Sequence, residues 1–172
     1  MKAKSKADKI ISKIHLQLIF VLMKNKFQIK RLEKQDVVLF QQLILLFQEV
    51  FEMTKTSIPE ESYLIKLLAN PDFIVYAIIT EDEIVGGLTA YELASYYSKG
   101  SEIFIYDIAI KSTFQRKGLG KQLLLSLKEY GKQKGINTIF VDANEEDEHA
   151  VDFYHSAGGK ADKVIQFTYY TD

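Results

Sequence analysis

From Phe27 to Leu32 the chain alternates, with Phe27, Ile29 and Arg31 set between polar neighbours, and this predicts a short strand. Asp36 then offers an N-cap to an amphipathic helix reaching about Phe51. A second helix is expected from Ser57-Ile58-Pro59-Glu60-Glu61, where a capping residue precedes proline and two acids fill the first turn; Asn70-Pro71 stops it after about Ala69. At Phe73 the rhythm changes. FIVYAIIT (73–80) and EIVGGLTAYEL (83–93) are rich in β-branched and aromatic residues and are parted only by Glu81-Asp82, so they predict an antiparallel hairpin, with a bulge or close backbone contact at Gly86-Gly87. SEIFIYDIAI (101–110) predicts another strand. Leu119, Leu123, Leu124, Leu127 and Tyr130 recur at helical spacing between Gly118 and Lys134, until Gly131 and Gly135 end the run. TIFVDA (138–143) predicts a short buried strand, 147–156 a short helix and KVIQFTYY (163–170) a last strand. The order β α α β β β α β α β implies an α/β (α+β) fold, a mixed sheet with helices on both faces.

The length of 172 residues suits one domain with a modest appendage, and 47% hydrophobic with 26% charged residues supplies a core. The absence of cysteine excludes disulfides, thiolate zinc sites, iron–sulfur clusters and a cysteine nucleophile, and three scattered histidines leave no metal site to expect. It also fits a reducing cytoplasm, the expected location. The net charge of −1 hides an asymmetry: residues 1–24 hold six lysines against Asp8 alone, a balance of +5, which leaves −6 on residues 25–172. An acidic body repels nucleic acid and favours cationic ligands. The basic start followed by Leu16 to Met23 is similar to a signal peptide, but Lys13, His15 and Gln17 interrupt it and no small-residue cleavage site follows Met23. Ile10, Ile11, Ile14, Leu18 and Leu22 recur at helical spacing instead. The expectation is therefore a basic amphipathic extension over 1–24 and a globular domain over 25–172, with no membrane attachment.

The most informative segment is Ile108 to Lys121, IAIKSTFQRKGLGK. An apolar strand ends, a polar turn carries Gln115-Arg116-Lys117-Gly118-Leu119-Gly120, and an amphipathic helix begins. Free amides at a helix start, the helix dipole and glycines that admit close approach make a cradle for an anion, with Arg116, Lys117 and Lys121 adding charge. Neither a nucleotide P-loop nor a GxGxxG fingerprint is present.

The strand Tyr106-Asp107-Ile108-Ala109-Ile110 followed by Gln115-x-x-Gly118-x-Gly120 resembles the acetyl-coenzyme A signature of the GCN5-related N-acetyltransferases. The resemblance extends over most of residues 27–170. SEIFIYDIAI with VDANEEDEHAVDFY is further similar to the small aminoglycoside 3-N-acetyltransferases of gentamicin-resistance type. It implies a mostly antiparallel sheet with a splayed strand pair for acetyl-CoA and no metal. By resemblance, backbone groups of Ile108, Ala109 and Ile110 pair with the pantetheine arm, while Gln115, Arg116, Lys117, Gly118, Leu119, Gly120 and Lys121 surround the pyrophosphate. Tyr154, sharing a helix face with Asp147 and Ala150, would protonate the departing thiolate. A homodimer is implied on the same basis.

Transfer from a thioester needs an unprotonated amine, whereas an alkyl ammonium has a pKa of about 10.4, so a base or a pKa-lowering site is required. Asp107 sits mid-strand among apolar neighbours, where a lone charge is costly unless it faces a cleft. It is expected to meet the acceptor amine as direct base, through water or as counter-ion. Glu102, Tyr106, Asp147 and Glu148 complete the expected acceptor site, although an acid run such as Glu145-Glu146-Asp147-Glu148 also suits a solvated helix start. The chain departs from the family pattern in three places: Gly159 replaces an aromatic after Gly158, Asp147 stands for asparagine, and His149 for proline. The leading expectation is an N-acetyltransferase acting by direct attack of a primary amine of a small polycationic acceptor such as an aminoglycoside. Polyamine or protein amines as acceptors, and a non-catalytic acyl-CoA sensor, are the alternatives.

Overall fold

The computed structural model describes residues 27–54, 57–81 and 83–171. The expected helix within residues 1–24 lies outside them. The chain divides into two units, residues 1–140 and 141–172.

The first unit is built on a sheet in the order β1 (Gln28–Arg31), β2 (Phe73–Ile79), β3 (Ile84–Ala94), β4 (Ser101–Ile110) and β5 (Ile139–Val141), the last strand carrying the chain into the second unit. β1 to β4 pair antiparallel, and β5 lies parallel to β4, as the helical crossover between them requires. β5 spans three residues against ten in β4 and starts beside Ile103, whose N–H donates to Thr138 O, so most of that edge of β4 has no strand partner among the described residues.

Two helices cover one face. α1 (Val37–Val50) buries Val37, Phe40, Leu43, Leu46 and Phe47 at i, i+3 and i+4 spacing against Phe73, Val75 and Ala77 of β2, and α2 (Glu61–Leu68) adds Leu64 and Leu68. Gly87 is forced by this packing: a Cβ there would lie 2.5 Å from Tyr76 O and 2.7 Å from Leu43 Cδ1. The close contact expected at Gly86-Gly87 is therefore present, and the ladder shifts register beside it, between Ile78 and Ile79. α3 (Leu119–Lys134) covers the opposite face through Leu119, Leu123, Leu127 and Tyr130. Its Tyr130 hydroxyl donates to Glu92 of β3, and the Arg31 guanidinium of β1 sits 4.5 Å above the Tyr130 ring.

Two local expectations are corrected. Asp36 does not cap α1 with its side chain; it turns back to accept from Lys30 Nζ at 2.6 Å and Glu33 N–H at 3.1 Å, because a buried carboxylate gains more from a cation than from a cap alone. Ser57 does not cap the second helix, which begins at Glu61 with Glu60 as its N-cap.

The second unit holds α4 (Glu148–Ser156), capped by the Asp147 carboxylate, which accepts from Ala150 N–H at 2.9 Å. The predicted last strand over Lys163 to Tyr170 does not form. Residues 159–171 carry no regular structure, and Val164, Ile165, Phe167, Tyr169 and Tyr170 are 75–88% exposed. β-propensity yields a strand only against a partner ladder, and these residues have none among those described.

Candidate functional site

The site residues of the first unit lie on β4 and the turn behind it. Between Thr89 and Ala90 the β3–β4 register shifts: Thr89 pairs with Asp107 and Ala90 with Ile105, which leaves Tyr106 unpaired as a bulge. In a regular strand Phe104 and Asp107, three residues apart, point to opposite faces. The extra residue restores Asp107 to the α1 face. Ile103 lies against Gly131 of α3, whereas Ala109 joins the core beneath α1, so the parity of the strand changes at the bulge.

On the α1 face the Tyr106 ring meets Tyr91 and Phe104 edge-on, with centroids at 6.0 and 6.2 Å, and Phe104 lies 5.2 Å from Phe140 of β5. Asp107 stands beside them, half-buried. The buried Thr89 hydroxyl donates to Asp107 Oδ2 at 3.4 Å, and no cation lies within ion-pair distance of Asp107 among the described residues. Burial pushes the Asp107 pKa up, and the Thr89 hydrogen bond offsets only part of this. Burial also raises the Tyr91 hydroxyl, helped by Tyr106, Tyr63 and Asp107 nearby. Glu102 is exposed and shares this face, but five residues of strand put it about 16 Å from Asp107. The two carboxylates are too far apart to meet one ammonium.

The turn after β4 is pinned at several points. Lys111 N–H donates to Val85 O and its ammonium pairs with Glu83; Gln115 Nε2 donates to Ile110 O at 3.0 Å. Lys117 Nζ folds back to Thr113 O at 2.9 Å, over the Phe114 ring. Arg116 has φ 59° and Gly118 φ 78°, so the backbone winds left-handed twice before α3 starts. A side chain at Gly118 would be strained in that conformation, although the space above it is open. The first helical bond of α3 runs from Gln122 N–H to Gly118 O; among the described residues, the N–H groups of Arg116 to Lys121 have no protein acceptor. Those amides, the exposed Arg116 and Lys121 side chains and the positive end of a 16-residue helix fit a bound diphosphate. Of the three cations expected here, Lys117 is committed to Thr113 and Phe114.

In the second unit Tyr154 lies on α4, partly buried, its ring 5.1 Å from that of Phe153. Asp147 is the cap of that helix and Glu148 an exposed acid in its first turn. The structure thus groups Tyr106 and Asp107 with an aromatic face, groups Gln115 to Lys121 around the helix start, and sets Glu102 apart. Sequence reasoning missed Thr89, Tyr91 and Tyr63. Among the described residues no cluster of three metal-ligating side chains occurs, and no helix is long and apolar enough to cross a membrane.

A mostly antiparallel sheet, an incompletely paired β4 and a helix start with free amides have the form that suits an extended, phosphate-bearing ligand laid against a strand. The model of the acetyltransferase (GNAT) family matches residues 40–158, and the chain belongs to that family of acetyl-CoA-dependent acetyltransferases. It is similar to an aminoglycoside acetyltransferase, meta-AAC0020, from an uncultured soil metagenomic sample. Against the structure of that enzyme with trehalose it is 41% identical over 86% of this chain and 97% of the other, TM-score 0.81; against the sisomicin complex the figures are 40%, 87%, 98% and 0.82. The uncharacterized N-acetyltransferase YvbK of Bacillus subtilis (strain 168) is 32% identical over 104 residues, covering 58% of this chain and 67% of YvbK.

Proposed function

We propose that this acetyltransferase moves the acetyl group of acetyl-CoA to a primary amine of a small polycationic acceptor of the aminoglycoside kind, by direct attack and without an acyl-enzyme. The observation that carries this reading is Asp107: a half-buried carboxylate with no cation partner among the described residues, on an aromatic face, at the strand that leads into the anion cradle. The acidic balance of residues 25–172 and the 40% identity to an enzyme seen with sisomicin support the choice of acceptor.

Acetyl-CoA supplies the acyl group as a thioester. The N–H groups of Arg116 to Lys121, with Arg116 and Lys121, hold its diphosphate, and the open edge of β4 at Ile108 to Ile110 orients the arm. Asp107 pairs with the incoming ammonium and takes the proton whose loss frees the nitrogen lone pair, directly or through water, and the second proton that the nitrogen loses on acylation replaces the one Tyr154 gives up. As the nitrogen lone pair forms the C–N bond and the C–S bond breaks, the Tyr154 hydroxyl gives a proton to the leaving thiolate. Glu102, about 16 Å along the strand, serves a second amine of an extended polycation. Asp147 and Glu148 are assigned to the acceptor by the family resemblance alone, as is a working enzyme of two copies of the chain.

The test is thiol release from acetyl-CoA across a panel holding sisomicin and other aminoglycosides, spermidine and peptides with free N-termini. Turnover with aminoglycosides at least tenfold above the other amines is the expected result. Binding of acetyl-CoA in calorimetry without turnover on any amine overturns the reading in favour of a sensor. Tyr154→Phe is expected to keep coenzyme binding and to lower kcat by roughly ten- to ten-thousandfold; unchanged kcat removes Tyr154 from the mechanism.

A further inference from the structure

We propose that Thr89 is a positioning residue for the acceptor amine, its buried hydroxyl fixing the Asp107 carboxylate across the β3–β4 ladder. The inference rests on the reading of Asp107 as the group that meets the amine.

Asp36 and Thr89 are the two buried polar residues of the described chain, and Thr89 is 5% exposed. A buried hydroxyl in a β-rich run needs a partner, and the partner here is Asp107 Oδ2. The bulge at Tyr106 creates the pairing, since it sets Asp107 directly opposite Thr89. A threonine in a strand has few side-chain rotamers, so its hydroxyl is a stiff donor. An ionised carboxylate accepts on two oxygens; Thr89 occupies Oδ2 and leaves Oδ1 to face the ligand. At 3.4 Å the contact is long for O–H···O, as such bonds often are before substrate tightens them.

No other charge does this work. The titratable groups near Asp107 on this face are the phenols of Tyr91 and Tyr106 and, from α2, Tyr63, none of them a cation, with the Glu102 carboxylate about 16 Å along the strand. The one ionisable side chain of α1 is Glu49, whose charge is felt by Lys111. Among these groups Thr89 alone favours the ionised form of Asp107 against the cost of burial.

The experiment compares wild type with Thr89→Val, which keeps the shape without the hydroxyl, and Thr89→Ser, which keeps the hydroxyl; Thr89→Ala replaces the valine variant should that fail to fold. Two readouts are taken: the pH profile of kcat/KM with an accepted aminoglycoside, and the carbon NMR titration of the Asp107 carboxyl in ligand-free protein. Removing the hydroxyl is expected to move the acid limb and the titration to higher pH by about half to one unit. It is also expected to raise KM several-fold more than it lowers kcat, and Thr89→Ser restores both. A turning-over enzyme whose limb and titration ignore Thr89→Val overturns the role of Thr89. A wild-type protein that acetylates no amine removes the acceptor reading beneath the proposal, whatever the titration does.

Discussion

Asp36 and Asp107 are carboxylates of the same unit held in opposite ways. Asp36 is 8% exposed, and burial alone would raise its pKa; the Lys30 hydrogen bond, the Glu33 amide and the Lys30 charge together outweigh burial and bring it below the ordinary value. Asp107 has a raised pKa, because burial acts on it too and the chain gives it a neutral hydroxyl where Asp36 has an ammonium. The difference separates two uses of one functional group. A carboxylate whose counter-charge comes from its own chain ties structure together, whereas one left without it is poised to take a cation from outside.

The comparison breaks first at Asp107. Asp107→Asn is expected to lower kcat/KM by about a hundred- to ten-thousandfold while leaving the thermal midpoint unchanged or slightly raised; wild-type turnover would put Asp107 on the same footing as Asp36. Asp36→Asn should do the reverse, keeping turnover while lowering the unfolding free energy by about 1–3 kcal/mol in urea titrations, since the Lys30 and Glu33 bonds are weakened. Loss of activity without loss of stability would contradict it.

The smallest effect is in the pH dependence of stability, and the two signs oppose. The folded pKa of Asp36 lies below its unfolded value of about 3.9, so its contribution is complete above that pH and is lost as pH falls through the folded value. For Asp107 the folded pKa lies above about 3.9, so its ionisation costs stability; the cost is absent below that pH and complete once pH has risen past the folded value. Urea midpoints between pH 3 and 7 are expected to show Asp36→Asn flattening the acid-side decline, and Asp107→Asn removing a shallow decline above it. Parallel curves for the two variants would erase the distinction.

Periodicity made most of the fold legible. β2 to β4, α1 and α3 announce themselves through alternation or through apolar residues three and four apart, and each forms within two or so residues of its expected span. The turn before α3 was readable as a candidate anion cradle because glycines and basic residues cluster where a strand hands over to a helix. The bulge at Tyr106 was not foreseen, although its trace is in the sequence: isoleucines 103, 105, 108 and 110 step by two, three and two, and the three marks the change of parity that keeps them on one face. Thr89 stayed hidden because threonine in EIVGGLTAYEL reads as an ordinary strand former; its partner is set by register across the ladder. Asp36 suited a cap, and nothing local signals a lysine six residues earlier returning to it on a neighbouring element. For Lys163 to Tyr170 the pattern spoke of a strand, but pattern carries no information about whether a neighbour is there to bond it.

Tyr106 acts as a half-step inserted into a two-beat strand. Drawing Tyr106 into the regular ladder would rotate everything downstream: Asp107 would be driven into the oily layer beneath α3, and Ile108 and Ile110 would be thrown out onto the opposite face. One supernumerary amino acid thus keeps the isoleucines of the whole strand on the α3 side while Asp107 stays on the other, without any other element being rebuilt.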